Sequence, residues 1–223
     1  MTTVRIDPWQ AQYGPDVDFS IERDELDQST VNVDPTVETD NWDAPIVAKA
    51  AATNQAFVFV DGVRRVDVRV VVDDGARTAP GVLGAIGVGA VLADGAARCI
   101  DERIERLLVT GGGLIADPLP VPIQGHFVAY EPRSVAGVEA LDPVHGLQLA
   151  MREAEARLVE EVASDAWILA DGPLVYPFSS DLPVVGVIKR SVASYLPASN
   201  AALLWTLTPG CRTPLFALGH HGL

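Results

Sequence analysis

Two aspartates end matching apolar runs: Asp61 in "AFVFVDG" (56–62) and Asp171 in "AWILADG" (166–172). A third acidic residue, Glu155, lies in "MREAEARLVEE" just ahead of the second run. Carboxylates are the ligands that hard divalent ions such as Mg²⁺ or Mn²⁺ take. A glycine after each aspartate would let a backbone or a phosphate come close. Two such ions about 4 Å apart can activate water and stabilise a leaving oxygen in phosphodiester hydrolysis. Lys189 in "GVIKRS", and Arg64 and Arg65 beside Asp61, are candidate cations for a substrate phosphate. Each residue also has a plainer reading. Asp-Gly is a good turn dipeptide, Glu155 could pair with Arg152 or Lys189, and Lys189 could be a solvated surface lysine. The ordered set, not any one member, points to a site.

These groups must be held by elements that the pattern also suggests. "AFVFV" (56–60) is continuously apolar, as a strand covered on both faces would be. Asp61-Gly62 is expected to turn the chain there. "VRRVDVRVVV" (63–72) alternates apolar and polar residues, and "VLGAIGVGAVL" (82–92) reads as a third strand, giving three consecutive antiparallel strands. "RCIDERIERLLV" (98–109) reads as a helix or a helix–strand junction, broken by "TGGGL". The best helix is 145–165. On a wheel of about 100° per residue, Glu155 falls inside the arc of Leu147, Met151, Ala154, Leu158, Val159 and Val162. It is the one inward carboxylate, and a buried unpaired carboxylate needs a cation, a partner or a raised pKa. A helix feeding the buried strand 166–170 is an α/β crossover. "VVGVIKRS" (184–191) is a further strand or strand edge; a helix or strand at 201–210 and a strand at 213–219 follow. Strand, strand, strand, helix, strand is the order of an α/β RNase H-like mixed sheet with flanking helices, in which the first and fourth strands are neighbours.

The chain has 223 residues, 48% apolar and 21% charged, the composition of a globular protein with a sizeable core. Residues 1–44 read as an acidic N-terminal extension, extended and partly docked through residues such as Trp9, Tyr13, Phe19 and Trp42. A compact domain is expected over 45–223. The net charge of −14 argues against an independent nucleic-acid binder, which normally shows a basic footprint. "MTTVRIDPWQ" lacks a charged-then-apolar leader and no apolar run reaches membrane-spanning length, so a cytoplasmic protein without membrane attachment is expected. Cys99 and Cys211 have no metal-type spacing. Gly111–Gly113 follows an element instead of opening a helix, so it is a poor phosphate loop. His126 and His145 stand alone, and His220 and His221 lie in the tail.

The ordered motifs resemble the NurA nuclease family. "FVFVDG", Arg152 and Glu155 in an Arg-x-x-Glu arrangement, "ILADGPL" and "GVIKRS" match its pattern over roughly 56–216. The resemblance implies a divalent-metal-dependent DNA nuclease with an RNase H-like fold, favouring manganese. Asp61, Glu155 and Asp171 would hold Mn²⁺ or Mg²⁺, and Lys189 would face the phosphate. It also implies a homodimer that partners a HerA-like hexameric ATPase in DNA end resection and repair. The chain departs from the family pattern at Val63, where a small hydroxyl residue is usual. It also ends at "FALGHHGL", before the family's late acidic residue and histidine, so the domain is expected to be incomplete at its C-terminus. Two other readings stay open: a catalytically inactive RNase H-like scaffold for an ATPase or other protein, and a hydrolase of small phosphate esters.

Overall fold

The computed structural model describes residues 2–7, 31–49, 55–162, 166–174, 182–189 and 195–220. In chain order the strands are β1 (Thr3–Ile6), β2 (Val31–Asp34), β3 (Ile46–Val47), β4 (Phe57–Asp73), β5 (Thr78–Ala93), β6 (Ala97–Thr110), β7 (Leu119–Ile123) and β8 (His126–Ser134). Helix α1 (Asp142–Glu161) follows, then β9 (Trp167–Asp171), β10 (Val184–Val187), the one-turn α2 (Ala198–Ala201), a 3-10 turn (Ala202–Thr206), β11 (Cys211–Arg212) and β12 (Ala217–His220). They form two compact units. One takes residues 1–13 and 54–188; the other takes 14–53 and 189–223. This division differs from the 1–44 and 45–223 split drawn from composition. Trp9, Tyr13 and Phe19 lie outside the described residues.

The first unit is an α/β body built on a mixed eight-stranded sheet. Its order is β10-β9-β4-β5-β6-β8-β7, with β1 paired antiparallel to the far end of β4. β4, β5 and β6 run antiparallel in sequence, and β9 returns parallel to β4. The three long strands are therefore 57–73, 78–93 and 97–110, not 56–60, 63–72 and 82–92. Asp61-Gly62 makes no turn, because β4 continues straight through it. The 98–109 segment is strand, not helix: pairing along β5 overrides its local pattern. The hairpin β7–β8 closes on Gln124-Gly125, both at positive φ. Pro120 and Pro122 sit on its outer strand, where a missing N–H does least harm.

β4 changes faces partway along. Val58, Val60 and Val66 pack with α1, whereas Val68, Val70 and Val72 pack with Leu83, Leu108, Leu114 and Tyr130. The cause is a register shift: Val66 pairs with Gly84 and Val68 with Leu83, so Asp67 is extra. One added residue reverses the alternation of everything after it. The Tyr130 hydroxyl donates to Asp67 Oδ2 at 3.0 Å, anchoring the bulge.

α1 starts with Pro143 in its first turn, where a missing N–H costs nothing, and Asp142 accepts a hydrogen bond from Glu139 N at 2.7 Å. Val144, Leu147, Met151, Ala154, Leu158 and Val159 repeat at helical spacing and are buried on the sheet. Outward ion pairs join Arg133 to Glu153 (2.6 Å), Arg103 to Glu161 (2.5 Å) and Arg157 to Glu105 (3.3 Å).

In the second unit β2 pairs with β12 and β3 with β11, both antiparallel. Arg212 grips Glu38 through both terminal nitrogens at 2.7 and 2.8 Å, and Leu215 N donates to the same carboxylate at 2.8 Å. These donors pull the Glu38 pKa down to about 2. The Trp42 ring packs tilted against Phe216, and its indole N–H donates to Pro35 O. No helix among the described residues is long and apolar enough to cross a membrane.

Candidate functional site

Asp61 and Asp171 are brought together by the parallel pairing of β4 and β9. Val60 is level with Ala170, so one more step sets the two aspartates side by side on adjacent strands about 4.8 Å apart. Val58, Val60, Ile168 and Ala170 are buried against α1. By alternation, both aspartates stand on the sheet face turned away from the helix.

Glu155 comes from the other side. It is only 7% exposed, and its carboxylate lies directly on Gly62. A Cβ at position 62 would fall 2.5 Å from Glu155 Oε1 and 2.9 Å from Cδ and Cγ. The second glycine has the matching use. A Cβ on Gly172, which has a φ of +84°, would lie 3.0 Å from both terminal nitrogens of Arg152. Arg152 Nη1 donates to Glu155 Oε2 at 3.2 Å and to the Asp171 carbonyl at 2.9 Å. Each Asp-Gly thus seats one member of an Arg152–Glu155 ion pair, one helical turn apart on α1.

This pair leaves Glu155 Oε1 and Arg152 Nε buried without a hydrogen-bond partner. An unmatched buried acceptor costs about 1–3 kcal/mol. Burial pushes the Glu155 pKa up; Arg152 opposes this, while the charges of Asp61 and Asp171 add to the rise. The three carboxylates therefore share one electrostatic environment. They do not form the closed cluster expected from sequence. Among the described residues, no three His, Cys, Asp or Glu side chains gather as metal ligands would. Glu155 meets β4 on the helix side while Asp61 and Asp171 project from the opposite face. Only the bare main chain of Gly62 lies where a side chain would otherwise stand.

The candidate phosphate-binding cations fall elsewhere. Arg64 is turned to the helix side, where its Nε donates to Gln148 Oε1 at 2.5 Å. Arg65 is 82% exposed and pairs with Asp67 at 3.3 Å. Lys189 is exposed and grouped with the second unit; Arg190 and Ser191 of the same motif lie outside the described residues. His126 is exposed at the start of β8, and His145 sits in the first turns of α1 with Nε2 buried and unpartnered. The His220 side chain and His221 lie outside the described residues. In the sequence Arg152 stands out only as a partner for Glu155, and nothing local to Gly62 or Gly172 announces the two glycine seats. The i, i+3 spacing of Arg152 and Glu155 was the available signal.

The class is thus an α/β protein with a large mixed sheet, carrying three carboxylates and a half-buried arginine around the middle of β4 and the end of β9. Comparison with protein-family models and with curated proteins finds no match to the chain.

Proposed function

We propose that the first unit is an RNase H-like, divalent-metal-dependent DNA nuclease of NurA type. The observation that carries this reading is Glu155 Oε1: a buried, unpartnered carboxylate oxygen laid on Gly62, next to Asp61 within β4, which is level with Asp171 at the end of β9. The strand order β10-β9-β4-β5-β6, with β9 parallel to β4 after the α1 crossover, supports the RNase H-like part.

The donor set has the chemistry of a hard-ion site but not yet its geometry, since Glu155 lies on the helix side of β4 and Asp61 and Asp171 stand on the other face. All three side chains offer oxygen, and the orphaned Oε1 is the atom a cation would satisfy. Mn²⁺ or Mg²⁺ held by Asp61, Glu155 and Asp171 would supply Lewis acidity and a water of lowered pKa. The protein's own contribution is positional. Parallel pairing fixes the two aspartates relative to one another, Gly62 admits Glu155 to the main chain, and the apolar seal of α1 shields Glu155 from water. The substrate would approach from the face opposite α1. Arg65, exposed on the strand beyond Asp61, remains its proposed phosphate contact, whereas Arg64 is turned to the helix side and Lys189 belongs to the second unit. A cytoplasmic homodimer receiving DNA from a HerA-like ATPase would reconcile such a site with the chain's acidity. An assay on linear single- and double-stranded DNA with Mn²⁺ tests the reading. Wild type should cleave, and Asp171→Ala should lose about 10²-fold or more of the rate. Hydrolysis of small phosphoesters without DNA cleavage would transfer the site to that other substrate class.

The open arrangement of the carboxylates favours one alternative, an inactive scaffold that binds a protein. Exposed Phe59, Val63, Ile104 and Trp167 on strands of the same sheet give it apolar surface to use. It requires that no cleavage occur with any divalent ion, and that Asp61→Ala leave partner binding intact.

A further inference from the structure

We propose that Arg106, which the sequence motifs pass over, joins Arg65 in a two-arginine grip for a phosphate group, set across β5 on the sheet face that bears Asp61 and Asp171. That the phosphate belongs to a nucleic-acid backbone rests on the nuclease reading above. Arg65 is level with Ala85, and Ala85 with Arg106, so the three side chains share one face. Asp61, Val63 and Arg65 stand on that face by alternation along β4. Arg103 and Glu105 reach back to Glu161 and Arg157 of α1, so Ile104 and Arg106 project the other way. Neighbouring strands lie about 4.8 Å apart, which puts the two arginines roughly 10 Å apart with Ala85 between them.

The counter-charge for this pair is slight. Arg65 is 82% exposed and pairs with Asp67 at 3.3 Å, but Asp67 also accepts the Tyr130 hydroxyl. Arg106 is exposed and, among the described residues, has no carboxylate in ion-pair reach. Burial pushes the Tyr130 pKa up and Asp67 adds to the rise, whereas Arg106 and Arg65 both oppose it. The two guanidiniums therefore gather about one hydroxyl. The floor between them continues as Gly87 and Gly89, and neither is small for want of room. A Cβ would meet nothing closer than 3.4 Å at Gly87 or 3.7 Å at Gly89. At Gly62 and Gly84, by contrast, it would lie 2.5 Å from a side chain of α1. The clear strip over β5 leads from the arginines to Gly89, which is level with Asp61, about 13 Å away. A planar guanidinium takes phosphate oxygens two at a time, and two of them across a clear floor can hold one phosphate from both sides.

The test is binding of a fluorescein-labelled single-stranded oligonucleotide to the full chain, read by anisotropy in EDTA so that no cleavage intervenes. Both arginines are exposed, so replacing them leaves the core intact. Each phosphate contact on a single strand contributes about 0.7 to the slope of log affinity against log salt. Arg106→Gln and Arg65→Gln should each lower the slope by about 0.7, weakening binding about 8-fold at about 50 mM salt and about 3-fold at about 200 mM. Arg106→Lys keeps the charge and should keep the slope. Arg157→Gln, on the α1 side, should match wild type. An unaltered slope in Arg106→Gln would overturn the inference, because an arginine with a merely structural role releases no counterion. Inorganic phosphate, followed by calorimetry, is the second arm. Wild type that binds it through Arg106 but does not bind the oligonucleotide would assign the grip to a small phosphate ester and overturn the backbone. Binding of neither would overturn the grip itself. Oligonucleotide binding through both arginines, without Mn²⁺-dependent cleavage, would uphold the grip and sink the nuclease reading alone.

Discussion

A methyl group at position 62 would sit 2.5 Å from Glu155 Oε1 and closer than 3 Å to two carbons of the same side chain. Glu155 is only 7% exposed, and its Cγ as well as its carboxylate meets that methyl, so the whole side chain must shift. Gly62→Ala should therefore displace the carboxylate from the main chain. We expect a loss of about 10²-fold or more in Mn²⁺-dependent cleavage, as misplacement by about 1 Å can produce. Overpacking should cost about 1–3 kcal/mol of stability, read from urea unfolding. Wild-type activity in this variant would show that Glu155 has no part in the chemistry. The glycine after Asp61 serves a contact from a helix some ninety residues later, where a dipeptide reading sees only a turn. That contact is non-local, so nothing in the neighbouring residues of β4 announces it.

The long strands owe their faces to a single residue. Deleting Asp67 would remove the shift between Val66 and Val68 and turn Val68, Val70 and Val72 out of their cluster. At roughly 1.5–3 kcal/mol per valine, the loss is comparable with the whole stability of a domain. The deletion variant should be unfolded by circular dichroism or insoluble. Tyr130→Phe, which removes only the bond to Asp67, should cost about 1 kcal/mol. Much of this architecture could be read beforehand, and the exceptions have causes. Helical spacing located α1 and turned Glu155 inward; apolar runs located β9 and the start of β4. β6 deceived because Ile100, Ile104, Leu107 and Leu108 recur at helical intervals. In the strand, Ile100 and Ile104 are exposed, and Leu107 and Leu108 enter different clusters. The β7–β8 hairpin was hidden by its prolines. At the site, the level of Asp61 with Asp171 followed from strand order. The opposite approach of Glu155 did not, because it depends on which face of β4 meets the helix.

At the scale of the molecule, each unit is stitched from distant stretches of chain, and the second is held by charge as well as by strand pairing. Arg212 and Leu215 N keep the Glu38 pKa near 2, below its ordinary 4.5. A depressed carboxylate stabilises the fold above its ordinary pKa and loses that contribution as pH falls from about 4.5 towards 2. Glu38→Gln should remove this part of the acid response while lowering stability at neutral pH. Tryptophan fluorescence during acid titration would report it through Trp42; an unchanged acid midpoint in the variant would refute the role of Glu38. The same pairing has a consequence for how the protein is made. Glu38 leaves the ribosome 174 residues ahead of Arg212, and β2 precedes its partner β12 by a similar stretch. At about 5–20 residues per second, the early half of the second unit waits roughly 9–35 s for its other half. During that interval all of β4 through β10 is synthesised, so the first unit has its complete sheet before the second can close.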